Sequence, residues 1–127
     1  MSLVQPHGEA LSAISNGLSQ LHMQFYGRGP TEAKTHFVDD LVVCVLWNGF
    51  TTVEETLLDR GETEAVEAFR RTFQSAMEGQ FTEIVERATG REVRAYMSQV
   101  HVDPAVAVEL FMLMPDGPSS NGQLAAE

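Results

Sequence analysis

KTHFVDDLVVCVLW, residues 34–47, decides the fold. It starts as a loosely alternating strand, passes through Asp39-Asp40, and becomes an unbroken apolar run from Leu41 to Trp47. EVRAYMSQVHVDPAVAVELFMLM, residues 92–114, repeats the plan. Val93, Ala95 and Met97 alternate with Arg94, Tyr96 and Ser98, a turn follows at His101 to Pro104, and Val106 to Met114 is apolar except for Glu109. An alternating strand has one wet face, whereas a strand apolar on both faces has to be covered on both. The two alternating strands, Glu32 to Val38 and Glu92 to Val100, are therefore edges, and the two apolar ones are central.

Helical periodicity fills the rest. Leu11, Ile14, Leu18, Leu21 and Phe25 recur at three- and four-residue steps, which predicts a helix over 9–26. Gly27-Arg28-Gly29-Pro30 stops it, with glycine suited to a left-handed cap and proline unable to continue. Thr52 and Glu55 are spaced as a capping box for a short helix ending near Asp59. Val66, Phe69, Phe73, Met77, Phe81, Ile84 and Ala88 predict one long helix from about residue 62 to 88. The expected fold is α+β, ordered α-β-β-α-β-β, with two main helices on one face of a four-stranded antiparallel sheet of order 1-2-4-3. One domain spans 9–115, and the polar residues 116–127 form a disordered tail. The other sheet face keeps apolar residues from both central strands, so a second copy of the chain is expected to cover it, giving a homodimer.

The 127 residues carry eight Lys and Arg against 18 Asp and Glu, a formal net charge of −10. That balance opposes nonspecific nucleic-acid binding and docking on an anionic membrane surface. The longest apolar run is too short to span a bilayer, and the N-terminus lacks the basic and apolar segments of a signal peptide. The reading is a cytoplasmic protein without membrane insertion or nucleic acid. Cys44 is the single cysteine, so no internal disulfide forms. GxGxxG, Walker, CxxC, HExxH and GxSxG motifs are all missing, and no cofactor, metal or catalytic set is expected.

Seven residues stand out as candidates for ligand binding: Arg28, Lys34, Asp39, Asp40, His101, Asp103 and Glu109. The Arg28 loop has glycine-rich backbone that could cradle a small anion, but it follows a helix C-terminus, where the dipole disfavours one. Asp39-Asp40 reads equally as a turn former. His101 and Asp103 form a site only if the turns converge. Glu109 interrupts an apolar strand and demands a partner. Strand alternation offers Arg94, Lys34 or His36 as a cross-strand ion pair. Trp47, Phe50, Met77, Met97, Met112 and Met114 read as core.

With YGRGPTEAKTHFVDDLVVCVL (26–46) and GREVRAYMSQVHVDPAVAVELFML (90–113) in view, the chain resembles the bacterial MpsC-like family, named for a component of a membrane-potential-generating system. The resemblance spans roughly 10–115. It implies a role beside membrane proteins that move cations or inorganic carbon, and it carries over no catalytic residues. The leading reading is a non-enzymatic accessory or regulatory module with a membrane-protein partner. The alternative is a small-anion ligand-binding or enzymatic domain using Arg28, Lys34, His101 and Asp39 or Asp40.

Overall fold

A computed structural model describes residues 8–115. Eight elements follow one another: α1 (Gly8–Tyr26), β1 (Glu32–Val38), β2 (Leu41–Trp47), α2 (Thr52–Asp59), α3 (Thr63–Ala76), α4 (Glu78–Thr89), β3 (Val93–His101) and β4 (Val106–Leu113). The strands form one antiparallel sheet, β1-β2-β4-β3. The α+β class, the strand order and the central position of the two apolar strands are as the sequence implies. The expected tail, 116–127, lies outside the described residues.

Three local expectations need correction. The long helix is two, because the chain leaves helical geometry at Met77 (φ −94°, ψ 2°) before α4 begins. The following glycine, Gly79, and the absence of a side-chain cap at Met77 make that break inexpensive. The capping box sits one residue earlier than the spacing suggested: the Thr51 hydroxyl accepts from the Glu54 N–H, and the Thr51 N–H donates to the Glu54 carboxylate at 2.8 Å. Glu54 is thereby turned inward. The third correction concerns the buried stripe of α3, which is Val66, Arg70 and Gln74, while Phe69 is 50% exposed.

The helices cover one sheet face. Ile14 and Leu18 from α1 and Phe81 and Val85 from α4 pack on Val42, Cys44 and Leu46 of β2 and on Phe111 and Leu113 of β4. The opposite face carries Leu41, Val43 and Val45 of β2 and Val106, Val108, Leu110 and Met112 of β4, all half-buried. Trp47 and Met97, expected in the core, stand exposed on this open face, and Met114, also expected in the core, is exposed after the end of β4.

Each end of the hairpins is closed by short-range geometry. Asp39 adopts φ 54°, a left-handed conformation that aspartate tolerates, and joins β1 to β2 in two residues. Gly27, at φ 84°, caps α1, and its N–H bonds to Met23 O at 3.0 Å.

Gly17 of α1 is fixed by packing. A Cβ there would stand 2.9 Å from Ile84 Cγ2 of α4. Glycine costs a helix about 1 kcal/mol relative to alanine, so close approach of α1 to α4 is what makes it tolerable. Gly17→Val should lower stability by about 1–3 kcal/mol through overpacking, measured by urea denaturation.

Candidate functional site

Polar side chains gather between the helices and the sheet. In register, Thr35, Cys44, Glu109 and Ser98 lie side by side across β1, β2, β4 and β3, forming a polar row on the helix-covered face. Apolar and aromatic rows flank it: Phe37, Val42, Phe111 and Tyr96 on one side, and Ala33, Leu46, Ala107 and Val100 on the other. The Ser15 hydroxyl of α1 meets the Thr35 hydroxyl at 2.7 Å. Cys44 is buried, and burial pushes its thiol up to about 11, so it is an un-ionised packing residue.

Glu109 is the centre of the row and is fully buried. The expected cross-strand ion pair with Arg94, Lys34 or His36 does not form, because strand alternation aims Glu109 under the helices, beside Ser98 and Cys44. The Tyr96 hydroxyl donates to Glu109 Oε1 at 2.5 Å. Glu109 Oε2, Ser98 Oγ, Gln74 Nε2, Tyr26 Oη and His22 Nε2 are all buried without a hydrogen-bond partner among the described residues. Burial pushes the Glu109 carboxyl up to about 7, and this outweighs the Tyr96 hydroxyl, the adjacent Ser98 hydroxyl and the Arg70 charge, which act the other way. Burial next to that carboxyl also raises the Tyr96 phenol well above its ordinary range.

His22 is a neutral base in this interior. Its Nδ1 lies 2.8 Å from Leu18 O, a group that only accepts, so Nδ1 carries the proton and Nε2 keeps its lone pair. Burial lowers its pKa, with the Arg70 charge adding to the effect and the Leu18 bond opposing it. Its ring stacks on Phe81, with centroids 5.5 Å apart.

Arg70 holds the upper layer together. Its Nε and Nη2 donate to Glu54 Oε2 and Oε1 at 2.6 and 2.5 Å, and Nη2 also reaches Gly49 O at 3.0 Å. The guanidinium lies 3.9 Å from the Tyr26 ring centroid and 5.2 Å from that of Phe50. One buried side chain thus joins α3, α2, the β2–α2 loop and α1. Burial tends to raise the Glu54 pKa, but the bonds from Arg70 and the Thr51 N–H outweigh it and leave it lowered.

The seven candidate residues do not meet in one place. Asp39 and Asp40 occupy the β1–β2 turn, beside the Leu41–Met112 end of the sheet. His101 and Asp103 belong to the β3–β4 turn at the Trp47–Val106 end. Asp40 accepts from Arg91 at 2.7 Å, and His101 Nδ1 stands 2.8 Å from Pro104 O within its own turn. Lys34 is on the β1 edge and His101 on the β3 edge, separated by three strand spacings, roughly 14 Å, across the sheet and by two residues, about 7 Å, along it. Arg28 approaches Glu55 at 3.9 Å. Among the described residues, no group of three or more His, Cys, Asp or Glu is placed to hold a metal ion.

Sequence reasoning missed Arg70, Glu54, Gln74 and His22. A signal was present: Ile14, Leu18 and His22 share a four-residue step, as do Val66, Arg70 and Gln74. An apolar stripe continued by polar residues marks a buried polar layer as readily as the end of burial.

The arrangement can store a proton and resist its loss. For Glu109 the folded-state pKa is raised, so the fold binds more protons than the unfolded chain between about pH 4.5 and 7, and stability falls as pH rises through that window. His22 has the opposite sign, removing stability as pH falls below its ordinary 6.5. Glu109→Gln should raise the melting temperature at pH 8 and flatten the fall in stability between pH 5 and 8, read by thermal unfolding across pH. Arg70→Ala should destabilise by about 3–5 kcal/mol, because it strands the Glu54 carboxylate, and Glu54→Gln in the same chain should recover part of that loss in urea denaturation.

No helix among the described residues is long and apolar enough to cross a membrane. No curated protein and no solved structure matches the chain. A family model described as Na+-translocating membrane potential-generating system (MpsC) matches residues 7–114, nearly the whole described fold with its polar row and its open apolar face. The chain belongs to the MpsC family.

Proposed function

We propose that this domain is a cytoplasmic, non-catalytic accessory or regulatory module of a membrane-potential-generating system, and that it works as a homodimer paired through the open face of its sheet. Family membership supplies the membrane-system context. The observation that carries the pairing is the open face itself: Val43, Val45, Val108 and Leu110 form an apolar centre, with Trp47 and Met97 exposed beside it. Lys34 and His36 rim it along β1, and Gln99 and His101 along β3. An apolar centre within a polar rim is the anatomy of a protein interface.

Size supports the same reading. Four strands about 4.8 Å apart, each about seven residues long at about 3.3 Å per residue, present roughly 440 Å² in projection. Two copies face to face remove about 900 Å² in projection, and side-chain relief brings this to the region of about 1,000 Å² where specific interfaces begin. A two-fold axis would bring this face of one copy onto the same face of the other, as a closed dimer requires.

The solution mass tests the pairing. Light scattering on the full chain should give twice the 14.0 kDa chain mass. Val108→Lys, a solvent-side change that leaves the helix-covered core untouched, should give the single-chain mass with unchanged circular dichroism. A wild-type monomer at about 100 μM, far above the Kd range of specific dimers, would remove the reading.

A further inference from the structure

The helical layer borders two different spaces. On its outer side α1, α2 and α3 form an apolar groove lined by Phe25, Tyr26, Val53, Leu57 and Phe69. On its inner side, between α1, α3 and the β3–β4 pair, the space is polar. Five buried atoms there make no hydrogen bond among the described residues: His22 Nε2, Tyr26 Oη, Gln74 Nε2, Ser98 Oγ and Glu109 Oε2. His22 and Gln74 are each 3% exposed, and Glu109 is fully buried. Native interiors leave few buried polar atoms unpaired, because each one forfeits its hydration without compensation. Five in one layer call for a polar occupant.

The chemistry and the room both suit water. His22 Nε2 only accepts and Gln74 Nε2 only donates, whereas the Tyr26 and Ser98 hydroxyls and a protonated Glu109 do both. Three small pockets follow the same layer. One of about 20 Å³ is lined by His22, Arg70, Val100 and Ala107 among others. The next, of about 90 Å³, shares Arg70 and Val100 with it and adds Arg71, Gln74 and Ser98. The last, of about 240 Å³, shares Arg71, Gln74 and Ser98 and reaches Tyr96. It opens between the exposed Arg71, Ser75 and Glu78, at a cleft where α3 meets β3. A single water needs about 10–15 Å³ of room for its centre, so even the smallest pocket accommodates one. Ser98 stands opposite Glu109 in the β3–β4 register, which brings the layer to the carboxyl.

We propose that this layer binds a chain of ordered waters running from the α3–β3 cleft past Gln74 and Ser98 to Glu109, and that Glu109 exchanges its proton with solvent along it while the fold stays closed. Gln74 is the side chain that controls entry. It is unbranched and its amide nitrogen is unbonded, so moving it aside breaks no hydrogen bond from that atom. On release the Glu109 O–H bond breaks, the electron pair stays on the carboxylate, and the proton passes along the waters to bulk water or buffer. The carboxylate left behind meets the Tyr96 and Ser98 hydroxyls from β3 and the Arg70 charge from α3, itself paired with Glu54 of α2. Neutral His22 and Tyr26 face it from α1 and un-ionised Cys44 from β2, and α4 supplies the apolar ring of Phe81 beside Tyr96. Among these neighbours burial sets the Glu109 pKa at about 7, so both of its states are populated near neutral pH.

The full chain, carbon-labelled at the glutamate carboxyl, tests this by NMR. The Glu109 signal, assigned by its loss in Glu109→Gln, should titrate in the folded protein. Its proton should exchange at least about tenfold faster than the core amides of β2 and β4 exchange with solvent. Water relaxation dispersion should detect long-lived internal waters, and Gln74→Leu and Ser98→Ala should each lose at least one. Gln74→Leu, which plugs the cleft, should also slow the Glu109 exchange, and Gln74→Asn, which keeps the amide, should keep it fast. Both Gln74→Leu and Ser98→Ala delete an unpaired polar atom and create none, so neither endangers folding.

Three results would overturn the proposal. Glu109 exchanges its proton no faster than the core amides, which makes unfolding the only route. The wild type holds no long-lived water. Gln74→Leu and Ser98→Ala leave both the waters and the exchange unchanged. Val108→Lys, on the far side of the sheet, should leave the Glu109 exchange as it is, so this proposal and the sheet-face pairing fail separately.

Discussion

The buried pair of Arg70 and Glu54 is the contact on which the helical layer depends. Both side chains are nearly inaccessible, and a charge in that position has to be matched almost completely or the fold loses several kcal/mol. Each partner is matched twice over. The Glu54 carboxylate takes two guanidinium bonds and the Thr51 N–H, and Arg70 adds Gly49 O and the face of Tyr26. These contacts are directional, so they fix where α2 sits relative to α3 and α1. Apolar packing alone would leave an eight-residue helix such as α2 free to slide. The groove on its outer side inherits its shape from this constraint.

Below that layer the sheet is unusual in carrying a polar row through its covered face. Thr35, Cys44, Glu109 and Ser98 divide the core into two apolar zones, and among the described residues Glu109 has no opposing cation within hydrogen-bonding reach. A neutral carboxyl is the state that this environment favours, and a phenol hydroxyl bond is sufficient for a neutral group. The domain therefore carries a group whose protonation is set close to neutral pH inside its rigid core rather than on its surface. A buried carboxyl of this kind ties the stability of the fold to pH.

The two apolar surfaces have different characters. The sheet face is broad and rimmed by Glu32, Lys34 and His36 on β1 and by Gln99 and His101 on β3. The helical groove is concave and lined by Phe25, Val53, Leu57 and Phe69. Both surfaces follow from where the sequence placed apolar residues outside the core.

The sequence alone determined the strand count, the antiparallel order, the first helix, both hairpin turns and the existence of an uncovered sheet face. Those features follow from local period, from turn chemistry and from the rule that a doubly apolar strand is central, none of which needs long-range information. Tertiary structure decided the rest. Phe69 on the apolar stripe of α3 turned outward while Arg70 and Gln74 turned inward, because Glu54, brought close only by folding, offers a partner that repays burial of a cation. Glu109 went beneath the helices rather than into an edge ion pair, because its pleat position is shared with Cys44 and Ser98. Asp39, Asp40, His101 and Asp103 were legible as turn residues, but that they lie at opposite ends of the sheet depends on the pairing of β2 with β4 across 59 to 71 positions, which local periodicity does not encode. Short-range patterns specify elements and faces; which polar groups are buried together is settled only when distant segments supply the partners.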